Sequence, residues 1–180
     1  MITYELAFII GGIVLLGFLA FGLFRKMNTG KIIVGCAFIA YLSIVAAITL
    51  FPILYDEKIE YFGDITWYNF IPFRTISDTL SYGINLSALI QIAGNICMAV
   101  PYGIIIMVFF GNKKWWKLLL LALLLPVAVE LAQLVIGVAI NNMYRTIDID
   151  DVILNLIGVY IGYGICKILP KNITSFCTER

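Results

Sequence analysis

The chain has 180 residues, of which 62% are hydrophobic and 13% are charged, and its formal net charge is +1. Soluble domains have about 45–50% apolar and about 25% charged residues, so this chain has more apolar residues than a globule of its size can bury. The composition excludes a soluble enzyme, a secreted disulfide-rich domain and a disordered chain, and it predicts an integral membrane protein. The small net charge argues against a nucleic-acid partner, and the absence of histidine excludes histidine-based metal sites and general bases.

Five apolar segments are long enough to cross a membrane as helices, which takes about 20 residues each. In chain order they cover residues 6–24, 32–55, 86–110, 118–140 and 152–169. No basic region precedes the first segment and no small-residue cleavage site follows it, so we interpret it as a membrane span and not as a signal peptide. The sequence therefore predicts an all-α membrane protein with about five spans, folded as a single domain over residues 1–180.

Basic residues lie in alternate connections between these spans. They are concentrated in the first loop, the third loop and the C-terminal tail, which carry Arg25, Lys26, Lys31, Lys113, Lys114, Lys117, Lys167, Lys171 and Arg180. Since loops rich in lysine and arginine stay in the cytoplasm, this pattern places the N-terminus outside and the C-terminus in the cytoplasm. The alternation also favours five spans over four or six.

The segment between the second and third spans, residues 56–85, is then expected outside the cell. Its acidic first part, residues 56–64, predicts a loop. Residues 67–74 combine aromatic side chains with Pro72, a composition typical of the membrane interface. Two interpretations are open: a plain aromatic belt, or an interfacial or re-entrant segment that covers a site, since irregular backbone at membrane depth needs protein or water beside it.

Polar residues within the spans are informative because an ionised side chain at mid-membrane costs about 2.5–3.5 kcal/mol on insertion scales. Glu130 and Gln133 lie on one face of the fourth span, and Pro126 frees a backbone carbonyl near them. Glu130 either forms a single buried hydrogen bond between helices or lines a cavity. Asn95 lies at a comparable depth in the third span, where a hydrogen bond between helices is the simpler explanation.

The start of the fifth span carries the densest group of polar residues. Asp148, Asp151 and Asn155 follow the spacing of one helix face, and Gly158 and Gly162 continue that face. The glycines permit the close approach of a second helix. Helix capping and the helix dipole explain one or two carboxylates at this position, but they do not explain Asn155, which lies one turn deeper.

All these residues map to the outer half or the outer face of the membrane, whereas the inner halves of the spans are almost purely apolar. We therefore predict a polar pocket that opens to the outer leaflet or to the cell exterior. Its candidate binding residues are Asn69, Arg74, Asn95, Glu130, Gln133, Arg145, Asp148, Asp151 and Asn155. The two arginines either pair with the carboxylates or hold a phosphate or carboxylate of a ligand in fork geometry. The sequence predicts no metal site and no cofactor, and it assigns no catalytic residue.

Four short motifs of this chain resemble, in order, those of the VanZ-like membrane proteins. They are Asn69-Phe70-Ile71-Pro72-Phe73-Arg74, then Gly94-Asn95 with Pro101 and Gly103, then Glu130-Leu131-Ala132-Gln133, and finally Arg145 through Asp148 and Asp151 to Asn155 and Gly158. The resemblance extends over residues 32–169. It implies a multi-pass protein of the bacterial cytoplasmic membrane, in a family whose founding member is associated with resistance to teicoplanin.

Four functions are open on this basis. The first is resistance to glycopeptide or lipoglycopeptide antibiotics, in which the polar pocket binds a membrane lipid, a lipid-linked cell-wall precursor or the drug itself. The second is a membrane enzyme that acts on a phospholipid or a prenyl-linked envelope precursor, through acid–base chemistry or an oxygen-bound divalent ion. A transporter is disfavoured because the apolar inner halves offer no continuous polar path. A structural subunit would use the polar residues only to hold helices together. The sequence does not determine the oligomeric state.

Overall fold

The computed structural model describes residues 1–54, 67–81, 86–110 and 114–168. Six helices lie in these ranges: α1 (Glu5–Phe24), α2 (Thr29–Leu50), α3 (Arg74–Ser81), α4 (Leu86–Phe110), α5 (Trp115–Ala139) and α6 (Ile149–Ile168). Two short strands, β1 (Tyr68–Asn69) and β2 (Ile147–Asp148), pair in parallel. The predicted loop 56–64, the ends of two predicted spans (Tyr55 and Leu169) and the basic residues Lys113, Lys171 and Arg180 lie outside the described residues.

Five of the described helices are long and apolar enough to cross a membrane, namely α1, α2, α4, α5 and α6. Each of them corresponds to one predicted span, so the predicted all-α membrane fold is confirmed. The orientation of the termini across the membrane stays a prediction.

Helix α2 ends earlier than the sequence analysis expected. It stops at Leu50, whereas the predicted span continued to residue 55. Pro52 explains the difference, because a proline has no N–H to donate and disfavours helical backbone in the residue before it. Beyond this point Ile53 and Ile2 exchange two backbone hydrogen bonds of 2.9 Å, which place the N-terminus beside the C-terminal end of α2.

The predicted interfacial or re-entrant segment contains regular structure in its described part. Strand β1 pairs with β2 immediately before α6, and α3 contacts both α4 and α6. The described part of this segment therefore packs against the N-terminal end of α6. Its depth in the membrane stays a prediction.

Helices α4 and α6 run parallel in close contact because glycines line their interface. A Cβ atom added at Gly158 would collide with the carbonyl oxygen of Ile96, and one added at Gly162 would collide with the α4 backbone one turn later. Gly103 of α4 faces the backbone of α6 in the same way. The close approach predicted from Gly158 and Gly162 is confirmed, and it brings the N-terminal ends of the two helices together.

The other spans pack around this pair. The Tyr41 hydroxyl of α2 donates to the carbonyl oxygen of Met98 in α4 at 2.9 Å. The Tyr102 hydroxyl of α4 donates to the carbonyl oxygen of Leu121 in α5 at 3.0 Å. Helix α1 packs along α2, where Gly35 lies against the ring of Phe18. Tyrosine hydroxyls thus join three spans in a region where water cannot satisfy them.

We expect Gly158→Ala to destabilise the bundle, because the new methyl group must displace the backbone of α4. Overpacking of this kind costs about 1–3 kcal/mol, which thermal unfolding of the purified protein in detergent would record as a lower midpoint. Gly164→Ala is the matched control in the same helix, since a Cβ atom there meets nothing within 4 Å. Equal midpoints for the two variants would contradict the close contact of α4 and α6.

Candidate functional site

The C-terminal ends of α2 and α5 and the N-terminal ends of α4 and α6 lie at one end of the bundle, together with β1 and α3. All the candidate residues of the sequence analysis lie toward this end. The opposite end carries the described basic residues of the predicted cytoplasmic side, which are Arg25, Lys26, Lys31, Lys114, Lys117 and Lys167. The structure thus separates the candidate residues from these six basic residues along the bundle axis.

Asp148 is the N-cap residue of α6. Its Oδ1 accepts a hydrogen bond from the backbone N–H of Asp150 at 2.9 Å, as expected for an N-cap side chain. The same oxygen accepts from the Asn69 side-chain amide at 2.9 Å, and the strand register places Asn69 opposite Asp148. The side-chain oxygen of Asn69 accepts from the N–H of Ile71 at 3.1 Å. Helix capping therefore explains Asp148, and Asn69 fastens the preceding segment to it.

Asp150 caps a different helix. Its carboxylate accepts hydrogen bonds from the backbone N–H groups of Phe73 and, at 3.1 Å, of Ile76, at the N-terminal end of α3. The Asp150 side chain is only 1% exposed. Phe73 has a φ of 65°, a left-handed conformation that is uncommon for residues other than glycine, and the hydrogen bond that its N–H donates to Asp150 stabilises this turn. Asp150 was not among the predicted residues, because its partners lie more than 70 residues away in the chain.

Glu130 connects α5 to the start of α6. Its Oε2 accepts a hydrogen bond from the backbone N–H of Asp148 at 3.1 Å, and the side chain is buried. One turn later, the Gln133 amide donates to the carbonyl oxygen of Thr49 at 2.9 Å, near the end of α2. Oε1 of Gln133 is the one buried side-chain oxygen or nitrogen without a partner in the described part of the chain. These two residues share a helix face but bond to different neighbours.

Asn95 and Asp151 join α4 to α6. The Asn95 amide donates to Oδ1 of Asp151 at 2.7 Å, which is the hydrogen bond between helices that the sequence suggested for Asn95. Asn155 does not extend this contact, because its amide donates at 2.8 Å to the backbone carbonyl of Asp151 in its own helix. Asn95 and Asp151 are half-buried, whereas Glu130 and Asp148 are buried, so the Asn95–Asp151 pair is the accessible edge of the site.

The two arginines have partners outside the group of carboxylates. Arg145 donates to the carbonyl oxygens of Phe51 at 2.8 Å and Ile48 at 3.3 Å, so its charge stabilises the C-terminal end of α2. Arg74 lies exposed on α3 with Asp78 at 3.9 Å, and this is the one ion pair within the described ranges. Of the two alternatives for the arginines, ion pairing with the candidate carboxylates is not found within the described ranges.

Two further donors hold the end of α2 to the connection before β2. The Tyr144 hydroxyl donates to the carbonyl oxygen of Leu50 at 2.9 Å, and the Asn142 amide donates to that of Leu54 at 2.6 Å. Burial raises the pKa of Tyr144 above its usual value, and the positive charge of Arg145 opposes this rise. The phenol therefore stays protonated at neutral pH and remains a donor. These contacts fix the position at which β2, and with it Asp148, follows the connection from α5.

We call the residues that meet at the start of α6 the polar cluster: Asn69, Asn95, Glu130, Asp148, Asp150 and Asp151. Within the described residues no cationic side chain forms an ion pair with its carboxyl groups. Backbone N–H groups and asparagine amides compensate the carboxyl oxygens instead, as buried charge requires. This arrangement is rich in acceptors, so it suits a ligand group that donates hydrogen bonds or carries positive charge. In the described ranges no three acidic or cysteine side chains are arranged to hold a metal ion.

An apolar groove of about 280 Å³ lies beside the polar cluster. We call it the Trp67 groove. It is lined by Trp67 and Phe70 before α3, by Val127, Leu131 and Leu134 of α5, and by Ile147, Ile149 and Val152 around the start of α6, with Glu130 and Asp148 at its border. Two of the aromatic residues predicted to form a belt or a cover, Trp67 and Phe70, thus form one wall of a groove at the site.

Comparison with known proteins identifies a family. The family model described as VanZ/LLP1 matches residues 38–170, which include all the candidate residues of the sequence analysis. No curated protein and no solved structure matches the chain.

We expect Asp150→Ala to loosen α3 while the membrane-spanning helices stay folded. The substitution removes a carboxylate that accepts two backbone hydrogen bonds, and a hydrogen bond to a charged group contributes about 1.5–3 kcal/mol. Hydrogen–deuterium exchange of the peptide containing Phe73 and Ile76 should therefore accelerate by about tenfold or more. Asp78→Ala is the control on α3 itself, since this carboxylate is 65% exposed. Unchanged exchange in Asp150→Ala would show that the cap does not hold α3.

Proposed function

Because the chain belongs to the VanZ/LLP1 family, which is linked to teicoplanin resistance, we propose that it contributes to resistance against glycopeptide and lipoglycopeptide antibiotics through the polar cluster. One observation carries this proposal. The four family-like motifs, which are far apart in the sequence, are joined by hydrogen bonds at one end of the bundle. The proposal takes this convergence of four distant motifs as the sign of a common task at that place.

The proposed location is the bacterial cytoplasmic membrane, with the polar cluster in its outer half. The support is the distribution of charge along the bundle. Six described lysines and arginines lie at the end away from the polar cluster, and loops with such residues favour the cytoplasm. Glycopeptide antibiotics and the cell-wall precursors that they recognise meet the membrane from outside, so this orientation places the cluster on the side where they are found.

The ligand that fits best is amphipathic. The accessible pair Asn95–Asp151 and the carboxylates behind it offer acceptors for amine or hydroxyl groups of a polar portion. The Trp67 groove offers an apolar surface for a lipid chain, and its aromatic rings suit the membrane interface. A lipid-linked cell-wall precursor and a lipoglycopeptide both combine these two properties. Arg74 on α3 is exposed and available to a more distant anionic group of such a ligand.

We expect expression of the wild-type chain to raise the inhibitory concentration of teicoplanin in a sensitive Gram-positive host. Glu130→Gln and Asp151→Asn should abolish this increase, because they keep the shape and one acceptor of each side chain but replace the second carboxyl oxygen by an amide NH2 group. Glu5→Gln is the matched control, since Glu5 is an exposed acidic residue outside the polar cluster, in the first turn of α1. Membrane levels of all four proteins are matched by immunoblot.

Two outcomes would count against the proposal. If the wild-type chain leaves the inhibitory concentration unchanged, this member of the family has another role. If Glu130→Gln and Asp151→Asn protect as well as the wild type, the carboxylates serve only to hold helices together.

A membrane enzyme that acts on a phospholipid or a prenyl-linked envelope precursor is the second candidate. The observation in its favour is that Asn95 orients one oxygen of the half-buried Asp151 carboxylate, which is how a general acid or base is held in place. Purified protein incubated with labelled envelope lipids, with and without magnesium, separates this candidate from a binding protein. Turnover that Asp151→Asn abolishes would support the enzyme, and no turnover in either condition would exclude it for those lipids.

A further inference from the structure

A second groove lies at the end of the bundle opposite the polar cluster. It has a volume of about 570 Å³ and is formed by α1, α2 and the C-terminal part of α4. Its apolar walls include Phe18, Phe38, Ile39, Val108 and Phe109. Phe109 is 49% exposed, so the groove borders the surface that faces lipid.

Among the residues that the structure describes, Lys31 is the one charged residue that lines this groove. It lies in the first turn of α2 and is exposed. No acidic side chain forms an ion pair with it in the described ranges. Arg25 and Lys26 lie just before α2 on the same end, and the described acidic residues lie toward the other end of the bundle. The groove therefore has a positively charged rim without a protein counter-ion among the described residues.

An apolar groove that is lined by one lysine suits a membrane lipid with an anionic head group. The groove can accommodate an acyl chain, because its phenylalanine and branched aliphatic side chains present no polar group that would stay unsatisfied against hydrocarbon. The lysine attracts a phosphate as a point charge and reaches the level of the head groups by extending its flexible stem. Basic sites between spanning helices on the cytoplasmic side bind anionic lipid head groups for these reasons.

We propose that this groove binds an anionic phospholipid, with an acyl chain between α2 and α4 and the phosphate at Lys31. The site is separate from the polar cluster, and the proposal does not depend on the function assigned to that cluster. A zwitterionic lipid would fill the same groove, but its ammonium group would offset the attraction of its phosphate to Lys31.

Native mass spectrometry of the purified full chain tests the proposal directly. The protein is titrated with phosphatidylglycerol and, separately, with phosphatidylcholine of the same acyl chains. The wild-type chain should retain phosphatidylglycerol in preference to phosphatidylcholine. Lys31→Gln should lower the retention of phosphatidylglycerol by about fivefold, the contribution of one surface lysine toward an anionic lipid, and should leave phosphatidylcholine unchanged.

Two further variants distinguish a built site from general attraction to charge. Lys117→Gln removes another exposed lysine at the same end that does not line the groove, so it should bind phosphatidylglycerol as the wild type does. Val108→Phe narrows the groove without changing the charge of the protein, and it should reduce the retention of both lipids. Because Lys31 is exposed, Lys31→Gln should fold like the wild type. It therefore tests the proposal even if Val108→Phe fails to fold. Equal losses in Lys31→Gln and Lys117→Gln, or no loss in Lys31→Gln, would overturn the proposal.

Discussion

Three hydrogen bonds at Asp148 hold together α5, the start of α6 and the segment before α3. Its Oδ1 accepts from Asn69 and from the backbone of Asp150, and its backbone N–H donates to Glu130. The first bond fixes the segment before α3, the second starts α6, and the third attaches α5. All these groups are buried, so each bond that is lost would leave an unsatisfied polar group at a cost of about 1–3 kcal/mol. The position of the polar cluster depends on this one turn.

Close helix packing makes the remaining contacts of the cluster possible. Gly103, Gly158 and Gly162 allow α4 and α6 to approach until backbone meets backbone. At that separation the short side chain of Asn95 reaches Asp151 at 2.7 Å. A larger residue at Gly158 would separate the helices and break a hydrogen bond that lies more than one turn away. The small residues in the spans and the polar residues at their ends therefore act together. Close packing sets the distance between α4 and α6, and the hydrogen bond from Asn95 to Asp151 forms at that distance.

The sequence predicted the helices and most of the candidate residues, because both follow from the cost of polarity in lipid. Five apolar segments correspond to five helices, and the candidate residues chosen for their cost in a membrane include every member of the polar cluster except Asp150. Hydropathy could not show where α2 ends, since the residues after Leu50 are still apolar and only Pro52 marks the change. The hydrogen-bond partners of Asp150 and Arg145 could not be predicted from the sequence either. Both side chains bind free backbone groups at the ends of other helices, and a residue type alone does not show which helix end lies nearby.

Exchanging the residues of the Asn95–Asp151 pair tests most directly whether the polar cluster does more than hold helices together. The double variant Asn95→Asp with Asp151→Asn keeps one amide and one carboxylate between α4 and α6 but moves the charge from one helix to the other. Its thermal midpoint and its effect on teicoplanin susceptibility are measured beside those of the wild type. Our account predicts an unfolding midpoint close to that of the wild type together with a loss of resistance. Full resistance in the exchanged protein would contradict the account, because it would show that the hydrogen bond matters and the position of the carboxylate does not.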